Sequence, residues 1–236
     1  MCYKSTPSLI KNRPLSARLK NKIATGFEVI QQYGLLWFCR EVLPWLFCRR
    51  YFFYSQVIRP ISPLFSCTYP IAFKLAKEED LPSLLVFRRD FCSRSQIKKR
   101  LREGYLCFIG WLGERPVHVR WIFVRFHYAP YLHRTLLLAP GEAYVDETFT
   151  APDLRNKGIA TFTGHLLRLA LLELGFKRYS CAVASWNKAQ QRVAEKFGME
   201  KVGEGVYFNF VIGKKFIWRG KVRDCGHGRI QLCSSD

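Results

Sequence analysis

One short stretch constrains the fold of this chain more than any other: a basic, glycine-containing turn, residues 155–160, with a strand pattern before it and a helix pattern after it. Residues 142–150 are rich in β-branched and aromatic side chains, which favours a strand. From Ile159, apolar side chains recur at steps of three and four residues as far as Leu174, and this spacing predicts a helix that ends at Gly175. The chain therefore predicts a strand, a tight basic turn and a helix in direct succession.

This succession creates a place for an anion at the start of the helix. The first backbone N–H groups of a helix have no partner inside the helix and lie at the positive end of its dipole. A pyrophosphate brings acceptor oxygens and negative charge to such donors. Gly158 lets the backbone approach a ligand closely, and Ala160 adds little side-chain bulk. The alternative interpretation of the same residues is a plain helix start with a basic first turn.

The surroundings of the turn resemble the GNAT family of N-acetyltransferases. The string Pro-Asp-Leu-Arg-x-x-Gly-x-Ala at residues 152–160 resembles the acyl-CoA loop of that family. Asn187, followed by Lys-Phe-Gly-Met at residues 196–199, resembles its second signature. The resemblance implies an α+β fold, layered α/β/α, with the mixed, mainly antiparallel central sheet of the acyl-CoA N-acyltransferases. It also implies that acetyl-CoA or another acyl-CoA is the co-substrate and that a primary amine attacks the thioester directly.

The same resemblance assigns residues to the acyl-CoA. The thioester and the pantetheine arm would lie beside the end of the predicted strand, at Phe149, Thr150 and Ala151. Asn187 would bind the pantetheine region, although Asn is also a favoured helix N-cap and the two roles are compatible. The residues assigned to the pyrophosphate are those of the turn: Arg155, Asn156, Lys157, Gly158, Ile159 and Ala160.

Two adjacent carboxylates on the predicted strand, Asp146 and Glu147, are the candidates for the general base that takes a proton from the amine. Alternation along a strand predicts that Asp146 shares a face with Thr150, and that Glu147 faces the other way unless a bulge re-aims it. A buried, unpaired carboxylate is costly. The pair therefore favours either a polar cavity or a structural ion pair with Arg120 or Arg125 of the neighbouring strand.

Other acid–base candidates are fewer and weaker. His127, Tyr131 and His133 lie in the loop before this strand, where a histidine is more often simply solvated. Many members of the family place a Tyr seven residues after the helix-opening Asn, where it protonates the departing CoA thiolate. That position here is Ala194. Either another group serves as the acid, or the thiolate leaves unassisted.

The patterns divide the chain into three regions. We expect a basic, aromatic-rich helical extension over residues 1–66, the acyl-CoA N-acyltransferase domain over residues 67–220 and a C-terminal tail over residues 221–236. Within the domain the expected order is a strand, two helices, three strands, a helix, a strand, a helix and two strands. The predicted strand and helix patterns thus match the layout of the acyltransferase fold.

The nine cysteines are scattered without a Cys-x-x-Cys pair, which favours reduced thiols in a cytoplasmic protein. Cys225, His227 and Cys233 near the C-terminus match no familiar zinc spacing, so no metal site is predicted.

The net charge of +20 favours anionic partners, but charge alone does not choose among a CoA phosphate, a membrane surface and nucleic acid. No nucleic-acid-binding motif is present in the sequence pattern, and specific nucleic-acid binding is not predicted. Residues 15–54 combine basic side chains with an apolar helical stripe and aromatic runs too short for an ordinary transmembrane helix. The open alternatives are peripheral contact with the inner face of the membrane, packing on the catalytic domain, and contact with a second copy of the chain in a homodimer.

These observations together predict a cytoplasmic acyl-CoA-dependent N-acyltransferase, most simply an acetyltransferase. Its acceptor would be an amine-bearing small molecule, with an amino sugar or another cell-envelope precursor as the suggestion that the basic, aromatic N-terminus raises. The alternative is a non-catalytic protein of the same fold that binds CoA or an anionic membrane or partner surface.

Overall fold

The computed structural model describes residues 31, 34–37, 48–60, 67–87, 93–210 and 213–233. The chain divides into two compact units, residues 1–44 and 45–236. The described part of the first unit includes one helical turn, Leu35–Trp37. Most of the predicted helical stripe lies outside the described residues. Over the ranges given above, no helix is both long enough and apolar enough to cross a membrane.

The second unit is built from a large sheet, a small sheet and helices on both sides of the large one. Its helices in the described ranges are α1 (Leu81–Phe87), α2 (Arg94–Arg102), α3 (Ile159–Glu173) and α4 (Lys188–Lys196). Its strands are β1 (Cys48–Val57), β2 (Ile71–Leu75), β3 (Leu106–Leu112), β4 (Arg115–Val124), β5 (Phe126–Ala129), β6 (Arg134–Leu137), β7 (Glu142–Thr150), β8 (Arg178–Ala184), β9 (Glu200–Phe210), β10 (Gly213–Gly220), β11 (Val222–Asp224) and β12 (Arg229–Leu232).

Eight strands form the large sheet in the order β10-β9-β1-β8-β7-β4-β3-β2. All neighbours run antiparallel except β7 and β8, which run parallel. The small sheet has the order β11-β12-β6-β5. The predicted mixed, mainly antiparallel sheet is confirmed, and so are the strands at 142–150 and 178–184 and the helix that follows the basic turn.

Each face of the large sheet has its own core. On the α3–α4 face, Leu167 and Leu171 of α3 belong to one buried cluster with Val145 of β7. Helices α3 and α4 pack closely because α3 carries Gly164: a Cβ there would lie 2.3 Å from Cζ of Phe197. The opposite face, here the α1–α2 face, is covered by helices α1 and α2 and by the small sheet. Its buried cluster includes Leu84, Ile97, Trp121, Leu136, Tyr144 and Ile230.

Strand β1 corrects the expectation of a helical extension through residue 66. It lies inside the large sheet, antiparallel to both neighbours, with Tyr51 opposite Ala184 on one side and Gly205 on the other. Phe53 is wholly buried on the α1–α2 face and Tyr54 is buried on the α3–α4 face. These aromatic side chains fill the core instead of facing a membrane. The helical prediction is therefore wrong for residues 48–57.

The small sheet corrects two further expectations. Its strands β11 and β12 come from the predicted C-terminal tail, where Ile230 is fully buried. Its strands β5 and β6 come from the predicted loop before β7. Each of these strands has only three or four residues, too few for alternation to show in the sequence. Their burial comes from docking on the α1–α2 face, which local patterns do not reveal.

Candidate active site

Strand β7 carries a bulge at its two acidic residues. Along the pairing with β4, Trp121 lies opposite Asp146 and Val119 lies opposite Phe149, so two β7 residues face a single residue of β4. Glu147 has a φ of 55°, in the left-handed region that few residues other than glycine adopt. An extra residue in one strand reverses which face the following side chains take. The bulge therefore decides where the two carboxylates lie.

Both carboxylates lie on the α1–α2 face. Glu147 accepts hydrogen bonds from Arg100 of α2, and Asp146 contacts Tyr131 of the connection between β5 and β6. Beyond the bulge, Thr150 lies on the other face, where its hydroxyl is 2.8 Å from Nδ1 of His118. The expectation that Asp146 and Thr150 share a face is therefore wrong, because it assumes unbroken alternation.

Glu147 is held by an ion pair that the sequence did not indicate. Arg100 donates to both carboxylate oxygens, with Nη2 2.9 Å from Oε1. The same guanidinium lies over the ring of Trp121, 5.1 Å from its centroid. Burial raises the pKa of Glu147, and Arg100 opposes that rise. The predicted partners were Arg120 and Arg125, and both predictions are wrong. Helix α2, and not the neighbouring strand, supplies the arginine that reaches Glu147.

Asp146 is held by a tyrosine hydroxyl, a histidine ring and a backbone N–H instead. Its Oδ2 accepts from the hydroxyl of Tyr131 at 3.1 Å and lies 2.8 Å from Nε2 of His127. Its Oδ1 accepts from the backbone N–H of Glu147 at 2.7 Å. Since a carboxylate only accepts, the Nε2 atom of His127 carries the proton in this contact. Of the weaker loop candidates, His127 and Tyr131 thus reach Asp146.

The hydroxyl of Tyr131 is itself part of an aromatic cluster. It lies 2.9 Å from the hydroxyl of Tyr144, and its ring stacks on Tyr51 with centroids 4.4 Å apart. Burial, with Asp146 as the next cause, raises the pKa of Tyr131 well above its usual range, so the hydroxyl stays protonated and donates. His133, the third loop candidate, stacks on the ring of Tyr207 at 4.8 Å.

A cleft of about 260 Å³ opens where β7 and β8 part. The two strands pair only from Glu142 opposite Arg178 to Tyr144 opposite Ser180. Farther along, residues from both faces of the sheet line the cleft. The lining includes Tyr51, Arg120, Tyr131, Asp146, Glu147, Thr148, Tyr179, Cys181, Asn187, Gln190, Ala194 and Phe197.

The basic turn enters α3 through a residue in the left-handed conformation. Gly158 is the residue before α3, with a φ of 77° and no atom within 4 Å of where a Cβ would stand. Asn156, Lys157 and Gly158 are exposed, whereas Ile159 is buried and anchors the helix start. The first N–H groups of α3 have no partner within the helix. They are donors for a ligand that approaches over the turn.

The other residues assigned to the acyl-CoA lie along the end of β7. The guanidinium of Arg155 lies 5.6 Å from the ring centroid of Phe149, and its Nε donates to the carbonyl of Thr150 at 3.4 Å. Arg155 therefore lies back on the strand end. Ala151 is buried, and its N–H donates to the carbonyl of Val117 at 2.8 Å. Its backbone donor is already used inside the sheet.

Asn187 lies where it can cap a helix and also face a ligand in the cleft. It is the N-cap of α4, where its Oδ1 accepts from the backbone N–H of Gln190 at 3.1 Å. It also lines the cleft, as does Ala194, about two helical turns farther along the same face of α4. The cap alone is a sufficient reason for an Asn at this position. Because the residue also lines the cleft, it is in reach of a ligand bound there.

Sequence reasoning missed a buried polar chain on β4. Nε of Arg120 donates to Nε2 of His118 at 2.9 Å, and Nδ1 of His118 lies 2.8 Å from the hydroxyl of Thr150. Because a guanidinium only donates, Nε2 of His118 accepts and Nδ1 carries the proton. Burial lowers the pKa of His118 well below its usual range, so the ring is neutral. The signal in the sequence was the alternation of His118 and Arg120 within an otherwise apolar strand.

The C-terminal thiols are free. Cys225 and Cys233 are partly exposed and form no disulfide. Within the described ranges, no group of three or more His, Cys, Asp or Glu side chains is close enough to hold a metal ion.

The family model described as the acetyltransferase (GNAT) family matches residues 68–199, more than half of the chain. The chain belongs to this family.

Solved structures of low sequence identity resemble parts of this chain. An acetyltransferase of the GNAT family from Colwellia psychrerythraea is 16% identical with a TM-score of 0.50, and the alignment covers 69% of this chain and 56% of that one. A conserved protein of unknown function from Staphylococcus epidermidis is 9% identical, TM-score 0.48, covering 67% and 60%. A predicted acetyltransferase from Clostridium acetobutylicum, solved with acetyl-CoA, is 15% identical, TM-score 0.41, covering 55% and 90%. No curated protein sequence matches the chain at a significant level.

Proposed function

We propose that this protein is an acyl-CoA-dependent N-acyltransferase, most simply an acetyltransferase, that transfers the acyl group directly from the thioester to a primary amine. One observation carries the proposal. The cleft between β7 and β8 has the carboxylate of Asp146 in its wall, and Arg120 connects that wall to the first turn of α3 through the carbonyl of Ala160. A base and an anion-binding helix start thus belong to one site.

The acyl donor would bind from the turn inward. The pyrophosphate would accept from the free N–H groups at the start of α3, with the exposed Lys157 adding positive charge. The pantetheine arm would run between β7 and β8, along the edge of β7 that β8 leaves beyond Tyr144. Asn187 and the cleft-facing side of α4 would form the opposite wall. This path ends at the bulge.

The reaction needs one proton to leave the amine. As the amine nitrogen attacks the thioester carbonyl, the C–N bond forms, the C–S bond breaks and a carboxylate takes the amine proton. Asp146 is better suited than Glu147, because two N–H groups of Arg100 bind Glu147 whereas no guanidinium binds Asp146 in the described part of the chain. A carboxylate in a bidentate guanidinium pair is a weaker base. Glu147 then serves to hold the bulge.

The acceptor would be an amine-bearing small molecule. The stacked rings of Tyr51 and Tyr131 lie in the cleft wall with Asp146, and aromatic faces and a carboxylate both attract a cationic amine. An amino sugar or another cell-envelope precursor fits this class. The suggestion of an envelope substrate loses part of its basis, however, because residues 48–57 lie in the sheet and do not form a membrane-facing helix.

Calorimetric titration with acetyl-CoA, longer acyl-CoAs and free CoA tests the donor site. Gly158→Glu should abolish binding, because it adds a negative side chain where the pyrophosphate lies. Gly175→Glu is a matched control at the other end of α3: Gly175 is also exposed, has a φ of 80° and has no atom within 4 Å of a Cβ position. A Glu is less favourable for the helix at the Gly175 end than at the Gly158 end.

The two substitutions therefore separate binding from folding. Loss of binding in Gly158→Glu alone locates the pyrophosphate at the turn. Equal loss in both variants would mean that the effect is on the fold, and no binding by the unaltered protein would rule out the proposed activity. The acyl chain length that binds most tightly would define the donor.

A second candidate is binding of CoA, or of an anionic partner, without turnover. Ala194 favours it, because the usual proton donor for the CoA thiolate is missing there. Under this alternative, the protein binds CoA but releases no CoA from acetyl-CoA with any amine in a broad panel. Turnover that Gly158→Glu abolishes would exclude it.

A further inference from the structure

Arg120 is a buried cation without an anion. Only 5% of its surface is exposed, and its two hydrogen-bond acceptors are His118 and the carbonyl of Ala160, both uncharged. In the part of the chain that the structure describes, no carboxylate lies within ion-pair distance of it. A guanidinium has five N–H donors, so most of them are unused. Burying an unpaired charge is costly, and such a cost is reasonable at a site that receives an anion.

Arg120 belongs to the wall of the cleft. The titratable groups that interact with it directly are His118 of β4 and Tyr179 and Cys181 of β8, while Asp146 of β7 lines the same cleft and Arg168 of α3 interacts with Tyr179. Burial raises the pKa of Cys181 to about 12 and keeps its thiol protonated. Helix α4 adds uncharged residues to the lining, among them Gln190 and Ala194. Among the described residues that line the cleft, Arg120 is the one arginine or lysine, and Asp146 is a carboxylate without a guanidinium partner.

Arg120 and Asp146 both influence Cys181 of β8: Arg120 acts to lower the pKa of its thiol and Asp146 acts to raise it. All three residues line the cleft between β7 and β8. An acyl thioester bound there would therefore have both the carboxylate and the guanidinium in its surroundings.

We propose that Arg120 binds the sulfur atom of CoA as it leaves, and so takes the role of the tyrosine that many family members have at the position of Ala194. The inference rests on the proposed function. When the C–S bond breaks, its electron pair stays on sulfur, and the thiolate pairs with the guanidinium. The amine proton goes to Asp146 and the guanidinium keeps its own protons. The thiolate gains a proton from solvent once CoA is released.

This role differs from a structural one in what it does to the thiol. A cation beside the sulfur stabilises the thiolate and lowers the pKa of the bound CoA thiol. A residue that only holds His118 and the start of α3 in place would affect the whole cofactor equally. Ionisation of the bound thiol therefore distinguishes the two roles, independently of any amine acceptor.

The test is to titrate free CoA bound to the full-length protein and to follow thiolate absorbance in the ultraviolet as pH rises. Desulfo-CoA, which has no thiol, supplies the baseline. We expect the bound thiol to ionise at least one pH unit below CoA in solution, a tenfold shift. Arg120→Gln should return it to the solution value, and Arg120→Lys should retain part of the shift. Arg125→Gln is the matched control, since Arg125 is exposed and bonds to the carbonyl of Glu103.

Each other outcome contradicts the proposal. If the bound thiol of the unaltered protein ionises no lower than free CoA, Arg120 does not bind the sulfur, and this result needs no variant that folds. If Arg120→Gln weakens desulfo-CoA as much as CoA, its role is structural. If CoA does not bind at all, the proposed function itself has failed, which is a different result from CoA binding with an unshifted thiol.

Discussion

Asp146 and Glu147 are adjacent on one bulge and lie on one face, yet different chemistry holds them. Glu147 has a guanidinium across both of its oxygens, and Asp146 has a tyrosine hydroxyl, a histidine ring and a backbone N–H. The first carboxylate is neutralised by a permanent charge. The second has no guanidinium partner in the described part of the chain. Two identical functional groups therefore differ in their surroundings because of what packs against each one.

The two residues also depend on each other. The ion pair with Arg100 fixes the side chain of Glu147, and the bulge at Glu147 presents the backbone N–H that binds Asp146 at 2.7 Å. The positive φ of Glu147 is the conformation that makes this possible. Backbone strain of this kind persists where the surroundings hold it, and it concentrates at functional sites. In the proposed mechanism, Glu147 would act through its backbone and Asp146 through its side chain.

Matched isosteric substitutions should give the largest difference between the two. Asp146→Asn removes the base, and we expect kcat for acyl transfer to fall by about 10²- to 10⁴-fold, the usual contribution of a general base. Glu147→Gln keeps the backbone N–H, and we expect kcat to stay within about tenfold. Steady-state release of CoA from acetyl-CoA with an active amine measures both. A larger loss in Glu147→Gln would reverse the assignment.

Removing the guanidinium should affect stability and should depend on pH. Arg100→Gln leaves Glu147 buried without its neutralising partner, and we expect a loss of about 2 kcal/mol in unfolding free energy at neutral pH. Burial already raises the pKa of Glu147 above its ordinary 4.5, and loss of Arg100 removes the main opposing effect. A raised pKa gives stability that is present at low pH and lost as pH rises through the folded-state value.

The deficit of Arg100→Gln should therefore shrink on acidification, as Glu147 takes up a proton. Urea unfolding from about pH 8 down to about pH 5 measures it. Arg102→Gln on the same helix is the control, because Arg102 is exposed and does not contact Glu147. A deficit that is the same at every pH would mean that Arg100 stabilises mainly by packing on Trp121.

Local sequence patterns predicted the elements of the site but missed the contacts that distinguish its two carboxylates. Strand β7, the turn and helix α3 were predictable because apolar period, turn residues and helix ends are local signals. The sequence raised the bulge only as a possible exception to alternation, because alternation cannot reveal a single residue at positive φ. The Arg100 partner was missed because it depends on how α2 docks, and no pattern within α2 specifies that.

Strand β1 shows the same limit at the scale of the sheet. Residues 48–57 follow an apolar, basic stretch, and the sequence suggested a continuing helix there. In the fold they lie between β8 and β9, whose residues are more than a hundred positions away in the chain. Pairing at such separation is decided by tertiary structure, and it overrides local preference. The strand, turn and helix start over residues 149–160 were easier to predict because these residues are consecutive.

The smallest expected effect comes from the groups that orient Asp146. Tyr131→Phe removes one hydrogen bond to Asp146 and one to the hydroxyl of Tyr144. We expect kcat to fall by about 3- to 10-fold, in line with about 1 kcal/mol for a hydrogen bond, and KM for acyl-CoA to stay unchanged. Tyr128→Phe is the control, because that hydroxyl is exposed and bonds to His133.

Two-substrate kinetics separate the possible results for Tyr131→Phe. A lower kcat, with or without a higher KM for the amine, places the Tyr131 hydroxyl with the base and the acceptor. A higher KM for acyl-CoA at unchanged kcat would instead place it with the donor, and the cleft would then be used in the opposite direction. Because Tyr131 lies on the α1–α2 face and Arg120 contacts α3 on the other, this measurement tests whether the two faces of the sheet serve the two substrates separately.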